Sequence, residues 1–310
     1  MKTKSPPPLI CIVGPTATGK TGLAIKLNRH LKGILVSADS RQVYREMDIV
    51  TGKDHPQNVK IHGLDIVNPD EECSVSLWYQ AVSPLLFSDR LPIVVGGTGL
   101  FVKAITDGIP TMLIPPNPQL RNQLEALSLP DLQARLKSLS PTRFARLNHS
   151  DFLNPRRLIR AIEIESASSG QNLPSSKIVI HNHPSLIIGL RPPDSDSYSE
   201  LITKRVLLRL NNGALKETSK LITKYGKNLP ALTAIGYRSL TLFLEGKISQ
   251  KEMINKWVSD ELSYAKRQLT WFRKVPDLNW FSMEDPLLLT KAMNLVEKFI
   301  NSCYDNKKDL

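Results

Sequence analysis

The strongest constraint on the fold is one eight-residue stretch near the start of the chain. It follows the pattern G-x-x-x-x-G-K-T and consists of Gly14, Pro15, Thr16, Ala17, Thr18, Gly19, Lys20 and Thr21. An unbroken apolar run, 9–13, precedes it, and a helix-like spacing of apolar residues follows over 22–31. This order of strand, loop and helix is the context in which such a loop binds phosphate. We therefore expect an α/β fold with a P-loop NTPase-like core, a parallel sheet and a polyphosphate site.

The residue types of this loop predict its chemistry. Its glycines let successive backbone N–H groups point toward one anion at the positive end of a helix. Lys20 would neutralise a terminal phosphate, and the hydroxyl of Thr21 would be a ligand of Mg²⁺. The pattern does not distinguish one polyphosphate from another.

A second apolar run, 33–37, leads into Asp39 and Ser40. Ligands of parallel sheets bind at the carboxyl ends of the strands, so Asp39 would face the phosphate loop. There it could be a general base or a Mg²⁺ ligand. The alternative is that Asp39 and Ser40 only cap the next helix.

A third apolar run, 91–95, continues directly into Gly96, Gly97 and Thr98. Common NTPases place an acidic residue near such a strand end to hold Mg²⁺ for hydrolysis, and this chain has none there. The pattern therefore argues against an ordinary ATPase, and Thr98 offers a hydroxyl to a ligand. The alternative is a tight turn between strand and helix.

The formal net charge of +12 is more than a small diphosphate substrate requires. It indicates either a nucleic-acid partner or merely a soluble basic protein, so the positions of the charges have to decide. Arg156, Arg157 and Arg160 stand in the first turns of a predicted helix over 154–169. Positive charge there opposes the helix dipole, which favours a role toward an external anion.

A longer helix is predicted over 249–273, with an apolar stripe at Leu262, Ala265, Leu269 and Phe272. Its other side is basic and carries an adjacent aromatic residue. The residues of this side are Lys266, Arg267, Gln268, Thr270, Trp271 and Arg273. Such a stripe suits a sugar-phosphate backbone, and the alternative is a solvated helix face.

The proline-dense segment 109–118 interrupts the alternation of strands and helices. We expect a first part of the core over 1–115, a helical insertion domain over 116–185, and a return strand with a mainly helical C-terminal part over 186–310. No apolar run approaches the roughly 18 residues of a membrane helix. Cys11, Cys73 and Cys303 share no metal or redox spacing, so we expect a reduced, cytoplasmic protein without membrane contact.

At six places the sequence resembles the tRNA dimethylallyltransferase family, also called tRNA isopentenyltransferases or IPP transferases. The matching segments are 14–21, 37–44, 96–101, 157–163, 234–238 and 266–273, in the family's order. The resemblance implies a phosphate-loop core with a helical insertion and a channel for a diphosphate and a flipped base. It implies transfer of a dimethylallyl group from dimethylallyl diphosphate to N6 of adenosine 37, in the tRNA anticodon stem-loop, with Mg²⁺. A monomer is expected.

The resemblance also implies roles for individual residues. Asp39 resembles the general base, Arg205 the clamp on the leaving group, and Thr98 a further catalytic group near the tRNA. Residues 14–21 resemble the diphosphate cradle. The implied tRNA contacts are Asp39, Ser40, Arg41, Gln42, Thr98, Arg121, Arg156, Arg157, Leu158, Ile159, Arg160, Thr233, Ala234, Ile235, Gly236, Tyr237, Arg238, Lys266, Arg267, Gln268, Leu269, Thr270, Trp271, Phe272 and Arg273.

The sequence departs from the family pattern at two places. Phe101 stands where the family usually has Tyr, and Val50, Thr51, Gly52 and Lys53 replace the commoner Gly-Thr-Ala-Lys. Neither departure changes a proposed catalytic group. They bear on affinity, on rate and on the range of tRNAs.

Three other functions remain open from the sequence. An adenylate isopentenyltransferase would act on free AMP or ATP and needs no long basic surface. A small-molecule kinase would use ATP, with the helical insertion as a lid. A non-catalytic RNA-binding protein could keep the phosphate loop as a relic, although Lys20, Thr21 and Asp39 are all intact.

Overall fold

The computed structural model of the 310-residue chain describes residues 6–54, 56, 59–169 and 183–305. From its sequence, the polar stretch over 166–183 is predicted to be a loop and residues 305–310 a frayed end, and both lie largely outside the described residues. The chain forms two compact units, one of Met1–Gly108 with His181–Leu310 and one of Ile109–Ile180. The second unit begins inside the proline-dense segment rather than at 116.

The first unit is built on a parallel sheet. In the described part of the chain its strands are β1 (Leu9–Val13), β2 (Ile34–Ser37), β3 (Ile61–His62), β4 (Pro92–Gly96), β5 (Ser185–Arg191) and β6 (Asn279–Ser282). Their order is β3-β2-β4-β1-β5-β6, and every neighbouring pair is parallel. The strand that enters the phosphate loop, β1, is therefore central, with Ile12 opposite Val95 on one side and Ile188 on the other.

The four inner strands match the predicted apolar runs because they are buried on both faces. The two edge strands, β3 and β6, are not among the predicted elements. Their residues are half-buried or exposed, so they carry no apolar run that could be read from the sequence.

Helices connect and flank the strands. Within the described residues they are α1 (Lys20–Leu31), α2 (Val75–Leu86), α3 (Gly99–Thr106), α4 (Pro118–Glu125), α5 (Leu129–Leu139), α6 (Pro141–Ala145), α7 (His149–Phe152), α8 (Pro155–Ser169), α9 (Ser195–Asn211), α10 (Ala214–Tyr225), α11 (Tyr237–Leu244), α12 (Gln250–Phe272) and α13 (Leu288–Asp305). Short 3-10 turns occupy Pro110–Leu113 and Pro230–Thr233. The turn Pro230–Thr233 and Gly236 precede the start of α11 at Tyr237.

The long helix α12 has the bounds that the sequence predicts. Ser249 caps its first turn and exchanges hydrogen bonds with Glu252 in a capping box, and Arg273 is its C-cap. The face it buries differs from the predicted stripe. Leu262 and Leu269 are only half-buried, whereas the polar residues Glu261 and Gln268 are buried.

The sheet and two helices enclose the main core. Ile10, Ile12 and Ile188 of the sheet pack in one cluster with residues of α1, such as Leu27, and of α13, such as Val296. This packing fixes the start of α1 against the end of β1, where the phosphate loop lies.

The second unit has a core of its own. Helices α4 to α8 belong to it, and their buried leucines and isoleucines form a separate cluster that includes Leu124, Leu132, Leu136, Leu158 and Ile162. In the described part of the chain, no helix is both long and apolar enough to cross a membrane.

Candidate active site

A cavity of about 1050 Å³ lies in the first unit and is lined by residues that follow β1 and β2 and by the last residues of β4. These include Lys20, Asp39 and Gly96, so the cavity opens at the carboxyl ends of the central strands, as expected for a parallel sheet. Helices α9 and α12 supply the opposite lining, including Arg205 and Tyr264. The structure thus brings the predicted phosphate loop, the predicted base and the predicted leaving-group clamp to one cavity.

The phosphate loop turns through three residues with positive φ, namely Gly14 at 141°, Ala17 at 61° and Gly19 at 76°. The Thr18 hydroxyl donates to the carbonyl of Pro15 at 2.9 Å. Since Gly19 is the N-cap of α1 and brings no side chain, the first N–H groups of α1 are left to a ligand.

Lys20 lies in this loop, and its Nζ donates to the carbonyl of Pro15 at 2.5 Å. Burial, and next the positive charge of Arg205, lower the pKa of Lys20 to about 8. Asp39 acts in the opposite direction on the same group. The ammonium is therefore poorly solvated and close to a second cation, which makes it a strong point of attraction for an anion.

Two helices hold the phosphate loop at Thr16. The N–H of Thr16 donates to Gln268 Oε1 of α12 at 2.9 Å, and the carbonyl of Thr16 accepts from the Tyr198 hydroxyl of α9 at 2.7 Å. The other end of the Gln268 amide donates to the carbonyl of Gly97 at 3.0 Å. A Cβ at position 97 would stand 2.0 Å from Gln268 Nε2, so only glycine lets the amide approach this closely.

Asp39 follows β2 by two residues and lines the cavity. Its Oδ1 accepts the N–H of Arg41 at 2.8 Å, which fixes the carboxylate in a short turn. The N–H of Ser40, between these two residues, donates to the hydroxyl oxygen of Thr98 at 3.0 Å. The predicted pair of Asp39 and Thr98 is thus joined through the ends of neighbouring strands.

Tyr264 of α12 is a site residue that the sequence does not predict. Its hydroxyl lies near Thr98, and Arg267 lies over its ring, with 5.7 Å from the guanidinium carbon to the ring centroid. Burial, and next the charge of Asp39, raise the pKa of its hydroxyl, so it stays protonated. An aromatic ring therefore borders the candidate base.

Arg205 lines the cavity from α9, as the family resemblance implies. Burial, and next the charge of Arg209, lower its pKa, although a guanidinium remains charged in proteins. Arg209 lies one turn further along α9 and forms a 2.7 Å ion pair with Glu261. Neither Arg209 nor Glu261 is among the predicted site residues.

The loop over 48–53, which contains one departure from the family pattern, is firmly held. Glu217 of α10 accepts the N–H groups of Asp48, Ile49 and Val50 at 2.7 to 3.0 Å. Lys53 is fully buried and donates to Asp48 Oδ1 at 2.7 Å and to Asp65 Oδ1 at 2.5 Å. The loop is therefore a fixed wall of the cavity.

The second departure, Phe101, is buried and stacks on Trp78, with ring centroids 4.4 Å apart. Trp78 in turn donates its Nε1–H to the carbonyl of Ser37 at the end of β2 at 3.0 Å. The ring at position 101 therefore supports the strand end that carries Asp39.

Several predicted tRNA contacts in the first unit are buried or are held by other residues, so their contact with tRNA remains a prediction. Tyr237 is fully buried and donates its hydroxyl to Glu217, while Gln268 connects two loops. Gln42 donates to the carbonyl of Gly52 at 3.1 Å. Ala234, Gly236 and Phe272 are also buried. The residues of these segments whose side chains are exposed are Thr233, Arg238, Lys266, Arg267, Thr270, Trp271 and Arg273.

In the helical unit, two predicted tRNA contacts serve an internal anion. The carboxylate of Glu163, 1% exposed, pairs with Arg121 Nε at 3.0 Å and with Arg160 Nη1 at 3.2 Å. Arg160 also donates to the carbonyls of Thr111 and Ile114. Arg160 therefore has partners within the helical unit, and its contact with an external anion remains a prediction.

The other residues of this segment divide by exposure. Leu158 and Ile159 are buried in the core of the helical unit, so their side chains are not available to a ligand. Arg157 is ion-paired with Asp151. Arg156 is exposed and forms no ion pair with a described residue.

The donors around the cavity fit Mg²⁺ only together with a bound diphosphate. Thr21 and Asp39 both line the cavity and could each supply one oxygen. Among the described residues there is no group of three acidic, histidine or cysteine side chains that could hold a metal alone. Mg²⁺ in proteins is commonly bound by one or two protein oxygens plus substrate phosphates, and this set fits that pattern.

A phosphate loop after a central strand, a parallel sheet and a cavity at its carboxyl edge define an α/β protein with a P-loop NTPase-like core. Two family models match the chain, IPP transferase over residues 42–275 and isopentenyl transferase over residues 7–67. The IPP transferase model matches well over half of the chain, so the chain belongs to the IPP transferase family. The predicted family, fold class and enzyme class, a prenyl-transferring enzyme, are thereby confirmed.

Named relatives match over nearly the whole chain. The tRNA dimethylallyltransferase of Gloeothece citriformis is 37% identical over 302 residues, 93% of this chain and 96% of the relative. That of Synechococcus elongatus is 35% identical over 309 residues, 97% of this chain and 99% of the relative.

Solved structures agree with the fold. The full-length tRNA isopentenylpyrophosphate transferase of Bacillus halodurans superposes with a TM-score of 0.71 at 31% identity and covers 97% of this chain and 99% of its own. A eukaryotic dimethylallyltransferase acting on tRNA gives a TM-score of 0.79 at 22% identity, with 96% of this chain and 80% of its own covered. At that identity the second likeness shows the fold alone.

Proposed function

We propose that the chain transfers the dimethylallyl group of dimethylallyl diphosphate to N6 of adenosine 37, next to the tRNA anticodon, and releases diphosphate. One observation carries this proposal. Asp39, Lys20 and Arg205 line the same cavity, so a carboxylate base and an anion site face one another. The named relatives, which match over nearly the full chain, support the same reaction.

Asp39 would act on the attacking amine. The exocyclic amine of adenine is a poor nucleophile because its lone pair is delocalised into the ring. A carboxylate that accepts the amine proton as the C–N bond forms contributes typically about 10² to 10⁴ in rate. The bond from Asp39 to the N–H of Arg41 holds one carboxylate oxygen and leaves the other for the amine.

Lys20, Arg205 and the N–H groups of the phosphate loop would act on the leaving group. Negative charge builds on the diphosphate as its bond to the allylic carbon breaks. Fixed donors aimed at that charge stabilise the transition state more than the bound substrate. Mg²⁺, when held by Thr21 and the diphosphate, would supply further positive charge at the same oxygens.

The strand ends favour this reaction over a kinase. β4 ends at Gly96 and is followed by Gly97, so no carboxylate stands where a common NTPase holds Mg²⁺ for attack on a γ-phosphate. Prenyl transfer cuts no γ-phosphate and requires no such residue. The loop is used as a diphosphate holder.

The exposed basic residues of α12, Lys266, Arg267 and Arg273, support tRNA as the acceptor. The target base has to leave the stack of the anticodon loop to reach Asp39. Unstacking costs a few kcal/mol and is least costly in a single-stranded loop, which favours the anticodon stem-loop. The use of Mg²⁺, the monomeric state and the cytoplasmic location remain predictions.

Transfer of labelled dimethylallyl diphosphate, with Mg²⁺, tests the proposal. The acceptors are an unmodified tRNA transcript with adenosines at positions 36 to 38, the same transcript with guanosine at 37, and free AMP. Label on the first transcript alone is the expected result. Label on AMP would identify an adenylate isopentenyltransferase. Binding of tRNA without label on any acceptor would identify a non-catalytic RNA-binding protein.

A further inference from the structure

Arg209 and Glu261 form a buried ion pair in the wall of the cavity. Arg209 Nη1 lies 2.7 Å from Glu261 Oε1, and both side chains are 8% exposed. Glu261 also lies within reach of the indole N–H of Trp257, at 3.4 Å. Removing two charges from water is costly, and such a pair often stabilises a protein no more than apolar residues of the same volume. Stability alone therefore does not account for this pair.

The other side of the Arg209 guanidinium packs against Gly52. Gly52 has φ +65°, and a Cβ built on it would stand 2.5 Å from Arg209 Nη2 and 2.8 Å from Arg205 Nη2. The two guanidinium groups therefore converge on one point beside the loop over 48–53. Any side chain at position 52 would displace at least one of them.

The loop cannot easily move aside. The carbonyl of Gly52 accepts from Gln42, and its N–H donates to the carbonyl of Ile49. Glu217 holds the preceding N–H groups, and Lys53 is anchored by two aspartates. An added Cβ would thus be accommodated by the arginines, whose side chains are the flexible partners.

Two guanidinium groups so close together repel each other unless an anion compensates one of them. Glu261 does this for Arg209 through the ion pair, whereas Arg205 forms no ion pair with a described residue. The result is a neutral ion pair packed beside the guanidinium of Arg205.

We propose that Arg209 is a positioning residue for Arg205: Glu261 holds its guanidinium, Gly52 leaves room for it, and it keeps the guanidinium of Arg205 directed at the diphosphate. This inference rests on the proposed function, in which Arg205 holds the leaving group. It assigns Arg209 no contact with the diphosphate itself.

Calorimetric binding of inorganic diphosphate with Mg²⁺ provides the test, because it requires neither tRNA nor turnover. The pair is removed without a net charge change in Arg209→Met/Glu261→Gln. We expect affinity for diphosphate to fall about tenfold, comparable to the loss of one charge-assisted hydrogen bond. Affinity for tRNA should stay within about twofold, because a positioning role at the diphosphate end leaves the basic face of α12 intact.

The decisive comparison is the same double change in an Arg205→Met background. If Arg209 acts through Arg205, removing the pair there has no further effect on diphosphate binding. If the losses multiply, Arg209 contacts diphosphate directly and the proposal is overturned. An unchanged affinity in the double variant would also overturn it.

Gly52→Ala provides a second line of evidence, because it retains both Arg209 and Glu261 and crowds the guanidinium groups instead. It should weaken diphosphate binding in the otherwise unchanged chain and have no effect in the Arg205→Met background. Equal losses in both backgrounds would trace to the backbone at φ +65° and would contradict the proposal. Failure of the unchanged chain to bind diphosphate would overturn the proposed role of Arg209. Diphosphate binding without transfer to tRNA would overturn only the proposed function.

Discussion

Gln268 accepts the backbone N–H of Thr16 at 2.9 Å across more than 250 residues of sequence. The same amide donates to the carbonyl of Gly97 at 3.0 Å. One buried side chain of α12 therefore joins the phosphate loop to the loop after β4. The exposed surface of α12 carries Lys266, Arg267 and Arg273. The helix proposed to contact tRNA is thus rigidly connected to the diphosphate site.

Replacing Gln268 by Met should disturb the diphosphate site more than it disturbs tRNA binding. The change keeps the side-chain length but leaves the N–H of Thr16 and the carbonyl of Gly97 without their partner. We expect the free energy of unfolding to fall by about 1–3 kcal/mol and the KM for dimethylallyl diphosphate to rise. Denaturant unfolding and steady-state kinetics measure the two effects. Thr270→Ala, at an exposed position of the same helix, is the control and should change neither.

Asp39→Asn should abolish turnover with little effect on binding. The amide oxygen can still accept the N–H of Arg41, so the turn is preserved while the base is lost. We expect kcat to fall at least about a hundredfold, with the affinity for tRNA unchanged. Asp54→Asn is the matched control, because Asp54 is a second carboxylate lining the cavity and has no assigned part in proton transfer. Equal kcat values for the Asp39 variant and the unchanged chain would exclude Asp39 as the base.

The sequence predicts the centre of this fold well and its periphery poorly. The inner strands are buried on both faces and appear as apolar runs, whereas the edge strands β3 and β6 do not. On α12 the apolar stripe is only partly correct, because Glu261 and Gln268 lie on the buried face. Their partners, Arg209, Thr16 and Gly97, are distant in sequence. A hydrophobicity pattern cannot indicate a buried polar residue whose partner is unknown.

The site shows the same limit. The phosphate loop, Asp39 and Arg205 are predicted from local motifs and the family resemblance, and the structure places them around one cavity. The spacing of Glu261, Tyr264 and Gln268 along one helix face is the signal that could have identified Tyr264. For Arg160, the sequence indicates a free charge, whereas the structure adds an ion pair with Glu163, a partner on the same helix at i+3.

Diphosphate binding should weaken as the pH rises through about 8. Lys20 has a pKa of about 8 in the free protein, lowered mainly by burial and next by Arg205. A bound diphosphate favours the ammonium form and raises that pKa. Below pH 8 the lysine is already protonated and binding exchanges no proton there. Above pH 8 binding takes up one proton, so affinity falls by up to about tenfold per pH unit.

Titration calorimetry at pH 9 in two buffers of different ionisation enthalpy detects this proton. The apparent binding enthalpy should differ between the buffers by the amount expected for uptake by Lys20. Lys20→Gln should bind diphosphate more weakly, and its binding enthalpy should not differ between the two buffers. The comparison with this variant also subtracts any proton exchanged by the diphosphate itself. A buffer dependence that persists in Lys20→Gln would assign the proton to another group.

Glu217→Gln should loosen the loop over 48–53. The carboxylate accepts hydrogen bonds from three backbone N–H groups and from the Tyr237 hydroxyl. In an amide, one of the two acceptor oxygens is replaced by an NH₂ group, which cannot accept these bonds. We expect the free energy of unfolding to fall by about 2–3 kcal/mol, the range for hydrogen bonds to a charged group. Hydrogen exchange should show loss of protection at Asp48, Ile49 and Val50. Lys216→Gln, at an exposed site on the same helix, should leave this protection unchanged.

Arg156 and Arg160 should separate tRNA binding from stability within one helix. Arg160 donates to Glu163 and to the carbonyls of Thr111 and Ile114, so Arg160→Met leaves these acceptors without a donor. We expect the free energy of unfolding to fall by about 2 kcal/mol. Arg156 is exposed, and Arg156→Gln should leave that free energy unchanged.

The salt dependence of tRNA binding should show the opposite order. If Arg156 contacts a phosphate, Arg156→Gln lowers the affinity for tRNA and reduces the slope of log K against log salt by about one. Arg160→Met should keep the slope of the unchanged chain, because its charge is already matched by Glu163. Should the slope instead change only in Arg160→Met, the ion pair with Glu163 would have to open when tRNA binds, and Arg160 would regain the role that the sequence suggests.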